Sequence, residues 1–130
     1  MKYLTIDEVI AIHDDLIIAF GGSLGIRDFN LLHSAISRST VTFISIDLYI
    51  SVFDKAAALL ESLILNHAFV DGNKRTAYVS CARFLYINGY ILNLEHREIV
   101  KFVLRVEKEK TSIREISKIL KENSKKIKFN

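Results

Sequence analysis

The sequence contains a single cysteine, no proline and no tryptophan among its 130 residues. Cys81 has no second cysteine with which to form an intramolecular disulfide, a usage that fits a reducing compartment and gives no support to an oxidised, secreted fold. The first residues reach Asp7 and Glu8 without the apolar stretch that a secretory signal requires. Long uncharged runs, such as residues 16–26, are too short or too rich in glycine to span a bilayer. We therefore expect a cytoplasmic protein without a membrane partner.

The charge distribution argues against a nucleic-acid partner. The formal net charge is +3, and this excess comes from residues 121–128, where four lysines stand against one glutamate. Residues 1–120 are therefore balanced overall, without the basic bias of a nucleic-acid surface. We interpret residues 120–130 as a solvated basic tail whose order the sequence leaves open, and we expect no direct binding of nucleic acid.

The hydrophobic fraction of 50% is enough to bury one core in a single domain spanning residues 1–130. Apolar positions recur at helical spacing along most of the chain, without an internal repeat or linker, and indicate an all-α fold of about six helices. The helix starts are predicted from side chains that can accept a hydrogen bond from a free backbone N–H group. The predicted N-caps are Thr5, in a capping box with Glu8, then Asp28, Asp47, Asn93 and Thr111, and the fourth helix is predicted to begin near Asn73.

Glycine pairs and one β-branched stretch mark the breaks between these helices. Gly21-Gly22 and Asn88-Gly89 are expected to end the first and fourth helices, because glycine adopts the left-handed conformation that closes a helix. Residues 39–45 contain several β-branched residues and lack helical spacing, so they predict a short extended flap or hairpin. The third and fourth helices are the most apolar, and we expect them to form the core hairpin.

The loop between the third and fourth helices carries a histidine, a carboxylate, an amide and two cations within residues 67–75. At the start of a helix, free backbone N–H groups and a partial positive charge attract phosphate oxygens. Gly72 lets a ligand approach the backbone closely. Asn73, Lys74 and Arg75 add an amide donor, a point charge and a planar guanidinium group. Gly72 and these three residues are the predicted phosphate- or nucleotide-binding set.

Asp71 and His67 complete the predicted chemistry. A carboxylate that faces a bound polyphosphate would repel it unless a divalent cation stood between them, so Asp71 is the predicted ligand of Mg²⁺. His67 lies just outside the anion site, where a neutral imidazole can accept a proton from an attacking hydroxyl group, and it is the predicted catalytic base. The pattern differs from the Walker A loop and from the protein-kinase signatures. It predicts a site for phosphoryl chemistry.

Residues 67–75, HAFVDGNKR, resemble the Fic/Doc motif, and a lysine before the arginine is typical of the death-on-curing (Doc) toxins of that family. Residues 4–14, 21–28 and 84–89 also resemble chains of this subfamily. The resemblance covers nearly the whole chain up to residue 93 and is weaker after it. It implies the helical Fic/Doc fold and a toxin of a toxin–antitoxin pair.

The resemblance also implies an enzyme that modifies a protein hydroxyl group with a nucleotide. Doc-type toxins transfer the γ-phosphate of a nucleoside triphosphate such as ATP to a threonine of a translation elongation factor, whereas related Fic enzymes bind the nucleotide in the opposite sense and transfer AMP. The AMP-transferring pattern has glycine where Lys74 stands and a second arginine where Tyr78 stands. Both differences favour transfer of phosphate to a serine or threonine of a target protein, with inhibition of growth as the result.

Two alternatives to the phosphorylating toxin stay open. One is an AMP-transferase that uses the same residues, and the other is a catalytically silent module that binds an antitoxin or takes part in repressor assembly. The intact cluster at residues 67–75 argues against the silent module. Fic proteins with an internal inhibitory helix carry an [S/T]-x-x-x-E-[G/N] pattern, but here Thr111 and Glu115 are followed by Ile116. A separate antitoxin that folds into a groove on binding is therefore expected.

Three further histidines, His13, His33 and His96, have no partners at metal-ligand spacing. We expect surface positions or hydrogen-bonded core positions for them. Arg27 precedes the predicted cap Asp28, and capping accounts for this pair without a role in the site.

Overall fold

Helices form most of the structure, a computed structural model that describes residues 1–40, 42–43, 46–47, 49 and 51–128. These residues contain six α-helices, one 3₁₀ turn and two small antiparallel sheets, so the predicted all-α class is confirmed. No helix in this part of the chain is long and apolar enough to cross a membrane. The helices are α1 (Ile6–Phe20), α2 (Phe29–Ser37), α3 (Val52–Asn66), α4 (Asn73–Ile87), α5 (His96–Glu109) and α6 (Ile113–Glu122). The strands are β1 (Thr42–Phe43), β2 (Ile46–Asp47), β3 (Tyr90–Leu92) and β4 (Ser124–Lys126).

The starts of α1, α2 and α4 agree with the prediction. Thr5 Oγ1 accepts the N–H of Glu8 at 3.1 Å, and Glu8 Oε1 accepts the N–H of Thr5 at 3.0 Å, which completes the capping box. Asp28 Oδ1 accepts the N–H of Leu31 at 3.0 Å and caps α2. The fourth helix begins at Asn73, as expected.

Three predicted N-caps are wrong, because another residue stands at the N-cap position of each of these helices. Asp47 pairs with Thr42 in the β1–β2 sheet. The N–H of Asn93 donates to the carbonyl of Asn123 at 2.8 Å, at the end of the β3–β4 pair. Thr111 is buried, and its hydroxyl donates to the backbone carbonyl of residue 105 at 3.4 Å. The observed N-caps are Ser51 for α3, Glu95 for α5 and Ser112 for α6.

The segment between α2 and α3 forms a two-stranded hairpin, as its β-branched composition predicts. β1 and β2 are antiparallel, with Thr42 opposite Asp47 and Phe43 opposite Ile46. Ser39, the first residue of the predicted flap, instead lies in a 3₁₀ turn with its neighbours in sequence. Residues 41, 44, 45, 48 and 50 lie outside the described residues.

Residues 120–126 belong to the fold, although the sequence left their order open. Leu120 is buried in the last turn of α6. β4 pairs antiparallel with β3, with Ile91 opposite Lys125. The lysine side chains of β4 stay exposed, so the backbone forms a ladder while the charges remain in water. Phe129 and Asn130 lie outside the described residues.

Helix α3 lies at the centre of the molecule. It packs against α2, α4, α5 and α6, and the consecutive residues Ala56, Ala57 and Ala58 are fully buried on its different faces. Small side chains on several faces let the neighbouring helices approach α3 at once, which close packing of the interior requires. The predicted core hairpin of α3 and α4 is confirmed. The loop that joins these two helices lies at one end of the core, where it meets solvent.

Candidate active site

His67 ends α3 in a backbone conformation that is uncommon for a residue other than glycine. Its φ is 46° and its ψ is 47°, in the left-handed region. Arg27 holds this turn: its Nε donates to the carbonyl of His67 at 2.6 Å and its Nη2 donates to the carbonyl of Asn66 at 3.0 Å. The guanidinium group thereby satisfies two free carbonyls at the end of α3 and complements the helix dipole. Arg27 therefore holds the turn at His67 in addition to preceding the cap of α2, and the His67 side chain is left 51% exposed.

The motif loop, residues 68–72, is fixed on one side by backbone hydrogen bonds to residues 25–28. The N–H groups of residues 27 and 28 donate to the carbonyl of Ala68 at 2.7 and 3.0 Å. The N–H of Val70 donates to the carbonyl of Gly25 at 3.0 Å. The position of the loop therefore depends on a segment that is distant in the sequence.

Asn73 fixes the motif loop from the other side. Its Nδ2 donates to the carbonyl of Phe69, and its Oδ1 accepts the N–H of Phe69, both at 3.0 Å. This pair of hydrogen bonds closes the loop over one turn and leaves one amide N–H of Asn73 for a ligand. The residue predicted to bind phosphate thus also shapes the loop that leads to the helix start.

His13 on α1 packs against the motif loop. Its imidazole is fully buried and stacks on the ring of Phe69, with the ring centroids 3.8 Å apart and the planes at 5°. Nε2 lies 2.8 Å from the carbonyl oxygen of Asp71, and Nδ1 lies 2.9 Å from Asp14 Oδ1. The prediction of a hydrogen-bonded core position is confirmed. This histidine also positions the main chain of the predicted metal ligand.

The carboxylate of Asp71 is held in place by two backbone donors. Oδ2 accepts the N–H of Ser23 at 3.1 Å, and Oδ1 accepts the N–H of Gly72 at 2.8 Å. Gly22 leaves room for this arrangement, because a Cβ atom there would lie 2.7 Å from Asp71 Oδ2. Each carboxylate oxygen keeps a lone pair for a cation.

The side chains of this site fit Mg²⁺ only when a bound phosphate supplies further oxygen ligands. Among the described residues no group of three or more histidine, cysteine, aspartate or glutamate side chains could hold a metal ion. Mg²⁺ prefers one or two carboxylates together with phosphate oxygens and water, and one exposed carboxylate beside an anion site matches this preference. Asp71 is the residue that would hold the cation.

The two motif cations contact residues outside the motif. Lys74 Nζ lies 3.5 Å from Glu107 Oε2 on α5, and His67 Nε2 lies 3.9 Å from the same oxygen. The guanidinium carbon of Arg75 lies 4.7 Å from the centre of the Phe20 ring at the end of α1. The cations therefore contact the two helices that flank the start of α4.

A cavity of about 650 Å³ opens beside the start of α4. Residues 71–75 form its polar end, and apolar side chains of α1, α4 and α5, such as Phe20, Val79 and Val103, form its walls. His67 is not among its lining residues and stands at the exposed end of α3. The structure thus brings the predicted phosphate-binding residues and Asp71 together around one concave space.

A sequence model described as the Fic/DOC family matches residues 3–85. The chain belongs to this family. It is 56% identical over 72 residues to "Toxin Doc" of Mycolicibacterium smegmatis, with 55% of each chain aligned. It is 33% identical over 89 residues to "Protein kinase doc" of Escherichia phage P1, with 68% of this chain and 70% of the phage protein aligned. The match spans only about half the length of the Mycolicibacterium toxin.

Tyr78 occupies the position where AMP-transferring members of the Fic/DOC family are expected to carry a second arginine. It lines the cavity. Burial, with a smaller contribution from Cys81, raises the pKa of the Tyr78 phenol to about 12. A phenol carries no positive charge at any pH, so Tyr78 cannot offer a phosphate the cation that an arginine would supply.

Cys81, one turn further along α4, is fully buried. Burial raises the pKa of its thiol to about 12. A thiol that stays protonated is a poor nucleophile, so Cys81 is a core residue of this Fic/DOC domain and has no part in the chemistry of the site.

Glu107, Arg27 and His13 are the site residues that the motif alone does not reveal. Glu107 lies on α5, outside the residues that the family model matches. The histidines His33 and His96 are exposed, as expected, and His96 also lines the far side of the cavity. Helical periodicity places Glu107 on α5 but does not tell which loop that helix faces.

Proposed function

We propose that this protein is a Doc-type toxin that transfers the γ-phosphate of ATP to a serine or threonine hydroxyl group of a target protein. One observation carries the proposal: Asp71, Lys74 and Arg75 lie at the start of α4 and line a cavity, and the exposed His67 reaches the same Glu107 carboxylate oxygen as Lys74. The free N–H groups of the first helical turn add further donors for phosphate oxygens. Membership of the Fic/DOC family and similarity to a phage protein named a protein kinase support the same chemistry.

In the proposed reaction the hydroxyl oxygen of the target attacks the γ-phosphorus of ATP. The bond between that phosphorus and the bridging oxygen breaks, and ADP leaves with the electron pair. The hydroxyl proton passes to His67, whose side chain is half exposed. A positioned general base accelerates such a step by about 10²–10⁴-fold.

The other motif residues act by charge and position, which supply most of the acceleration in phosphoryl transfer. Lys74 and Arg75 stabilise the negative charge that spreads over the transferred group. Asp71 would hold Mg²⁺, which would neutralise part of the charge on the phosphates. Gly72 and the start of α4 present backbone N–H groups, and Asn73 holds the loop that carries them.

Phosphoryl transfer is preferred over AMP transfer because of two positions in α4. Lys74 adds bulk and charge where the AMP-transferring pattern has only a glycine backbone. The neutral Tyr78 replaces the second arginine that would bind another phosphate. AMP transfer by the same residues is the outcome that the experiment below must distinguish.

We also infer two protein partners. The target is a translation elongation factor in the cytoplasm, as the resemblance to Doc toxins implies, and the β1–β2 hairpin is an edge to which an extended target segment can pair. The second partner is an antitoxin. The apolar walls of the cavity, contributed by α1, α4 and α5, fit the hydrophobic face of an antitoxin segment that folds on binding.

The test uses the purified protein with Mg²⁺ and a bacterial lysate, and with ATP labelled either in the γ- or in the α-phosphate. We expect one labelled protein band with γ-label and none with α-label, and a mass increase of one phosphate on the target. His67→Ala is expected to remove the label without unfolding the domain. Label from α-labelled ATP would establish AMP transfer, and absence of both labels with an added elongation factor would contradict the proposed function.

A further inference from the structure

Glu107 places a carboxylate inside the proposed phosphate site. The side chain is only 22% exposed, and its Oε2 lies 3.5 Å from Lys74 Nζ and 3.9 Å from His67 Nε2. Within the described part of the chain it is the only acidic partner of Lys74. The motif lysine that should meet a phosphate is therefore already paired with an internal anion.

The packing of α5 against the core holds Glu107 in this position. Val103 and Val106, on the same helix, are buried in the core, so α5 cannot move its Glu107 side away from the motif without losing that packing. The neighbouring acid Glu109 points elsewhere and pairs with Arg105 at 3.3 Å, where it is 68% exposed. Glu107 and Glu109 thus share a helix and a charge but differ in what they contact.

A polyphosphate that reaches Lys74 meets this carboxylate. Two anions beside one amine repel each other, and the repulsion is screened less for a carboxylate that is mostly buried than for one in solvent. Part of the attraction between Lys74 and phosphate is therefore lost in separating the amine from Glu107.

We propose, building on the proposed function, that Glu107 competes with the nucleotide polyphosphate for Lys74 and so weakens nucleotide binding. Glu107 then lowers the affinity of the site for nucleotide, because the Lys74 amine is released only when phosphate outcompetes the carboxylate. The residue lies outside residues 3–85, the part that the family model matches, so family membership does not assign this role.

The experiment measures binding of inorganic triphosphate, and of ATP with Mg²⁺, to the full chain by isothermal titration calorimetry. We expect Glu107→Gln to bind both about fivefold more tightly, which corresponds to about 1 kcal/mol for a partly exposed ion pair. Glu109→Gln, the matched control on the same helix, is expected to bind with an unchanged dissociation constant. Glu107→Ala is a second variant expected to change affinity in the same direction, and circular dichroism checks that each variant is folded.

A double-mutant cycle tests whether the effect passes through Lys74. In a Lys74→Met background, Glu107→Gln should give less than half of its gain in affinity, because the amine for which the carboxylate competes is absent. A purely structural role of Glu107 would show no such dependence on residue 74.

Binding by the parent protein separates failure of the inference from failure of the proposed function. Unchanged or weaker triphosphate binding by the folded Glu107 variants would overturn the competition, while binding by the parent protein leaves the proposed function standing. If neither the parent nor any variant binds triphosphate or ATP, both the competition and the proposed function are wrong.

Discussion

The imidazole Nε2 of His13 lies 2.8 Å from the carbonyl oxygen of Asp71, although the two residues are 58 positions apart in the sequence. The same ring stacks on Phe69 inside the motif loop. Helix α1 therefore sets the position of the main chain that carries the proposed metal ligand and leads into α4. The geometry of the site depends on a histidine that takes no part in the chemistry.

Replacement of His13 should destabilise the protein and disable the site together. His13→Ala removes a buried ring and its hydrogen bonds, and we expect the free energy of unfolding to fall by about 2–4 kcal/mol. His33→Ala, at an exposed position of α2, is the control and should change it by less than about 0.5 kcal/mol. Urea denaturation measures both. Equal stability of the two variants would show that the His13 contacts do not hold the loop.

Gly22 should tolerate no side chain, because of Asp71. A Cβ atom at Gly22 would lie 2.7 Å from Asp71 Oδ2, whereas at Gly21 it would meet nothing within 4 Å. Both glycines have positive φ, so an alanine at either position suffers backbone strain of about 1–3 kcal/mol, but only Gly22→Ala also displaces the carboxylate. We expect Gly22→Ala to lose Mg²⁺-dependent labelling of the target at least tenfold more than Gly21→Ala. Similar losses in the two variants would exclude the steric explanation.

Arg27 should affect catalysis through His67. Arg27→Gln removes the charged donor that holds the left-handed turn at the end of α3, and we expect a loss of about 1.5–3 kcal/mol in the free energy of unfolding. Labelling of the target should fall through kcat, with KM for ATP little changed, because the turn orients the base. Arg83→Gln, an exposed arginine over the Tyr86 ring, is the control with little expected effect on either quantity. A normal kcat in Arg27→Gln would contradict the orienting role.

Stability should fall at high pH because of the buried thiol. Burial raises the pKa of Cys81 from 9.0 to about 12, so above pH 9 the unfolded chain loses this proton while the folded protein keeps it. The unfolded state then binds fewer protons, and the free energy of unfolding decreases as the pH rises from about 9 to about 12. Between pH 9 and pH 10.5 Cys81→Ala should lose about 1.5 kcal/mol less than the parent in urea denaturation. Identical pH dependence in the two proteins would refute the buried, protonated thiol.

Three helix starts could be read from the sequence, and three could not. The caps at Thr5 and Asp28 depend on hydrogen bonds that span three residues, so their signal is local. At Asn93 and Thr111 a capping residue type is present, but the backbone of Asn93 bonds to Asn123 at the end of the β3–β4 pair and the Thr111 hydroxyl bonds back to the carbonyl of residue 105. Several residues near a helix start can occupy the N-cap position, and the tertiary structure decides which of them does.

The sequence by itself determined the six-helix class, the order of the helices and the position of residues 67–75 at the junction of the third and fourth helices. Helical periodicity, glycine breaks and a contiguous motif are all properties of neighbouring residues. Only the tertiary structure decided that His13 supports Asp71, that Arg27 holds the turn of His67 and that Glu107 faces Lys74. Each of these contacts joins segments that are far apart along the chain, and helix packing alone sets which side chains meet.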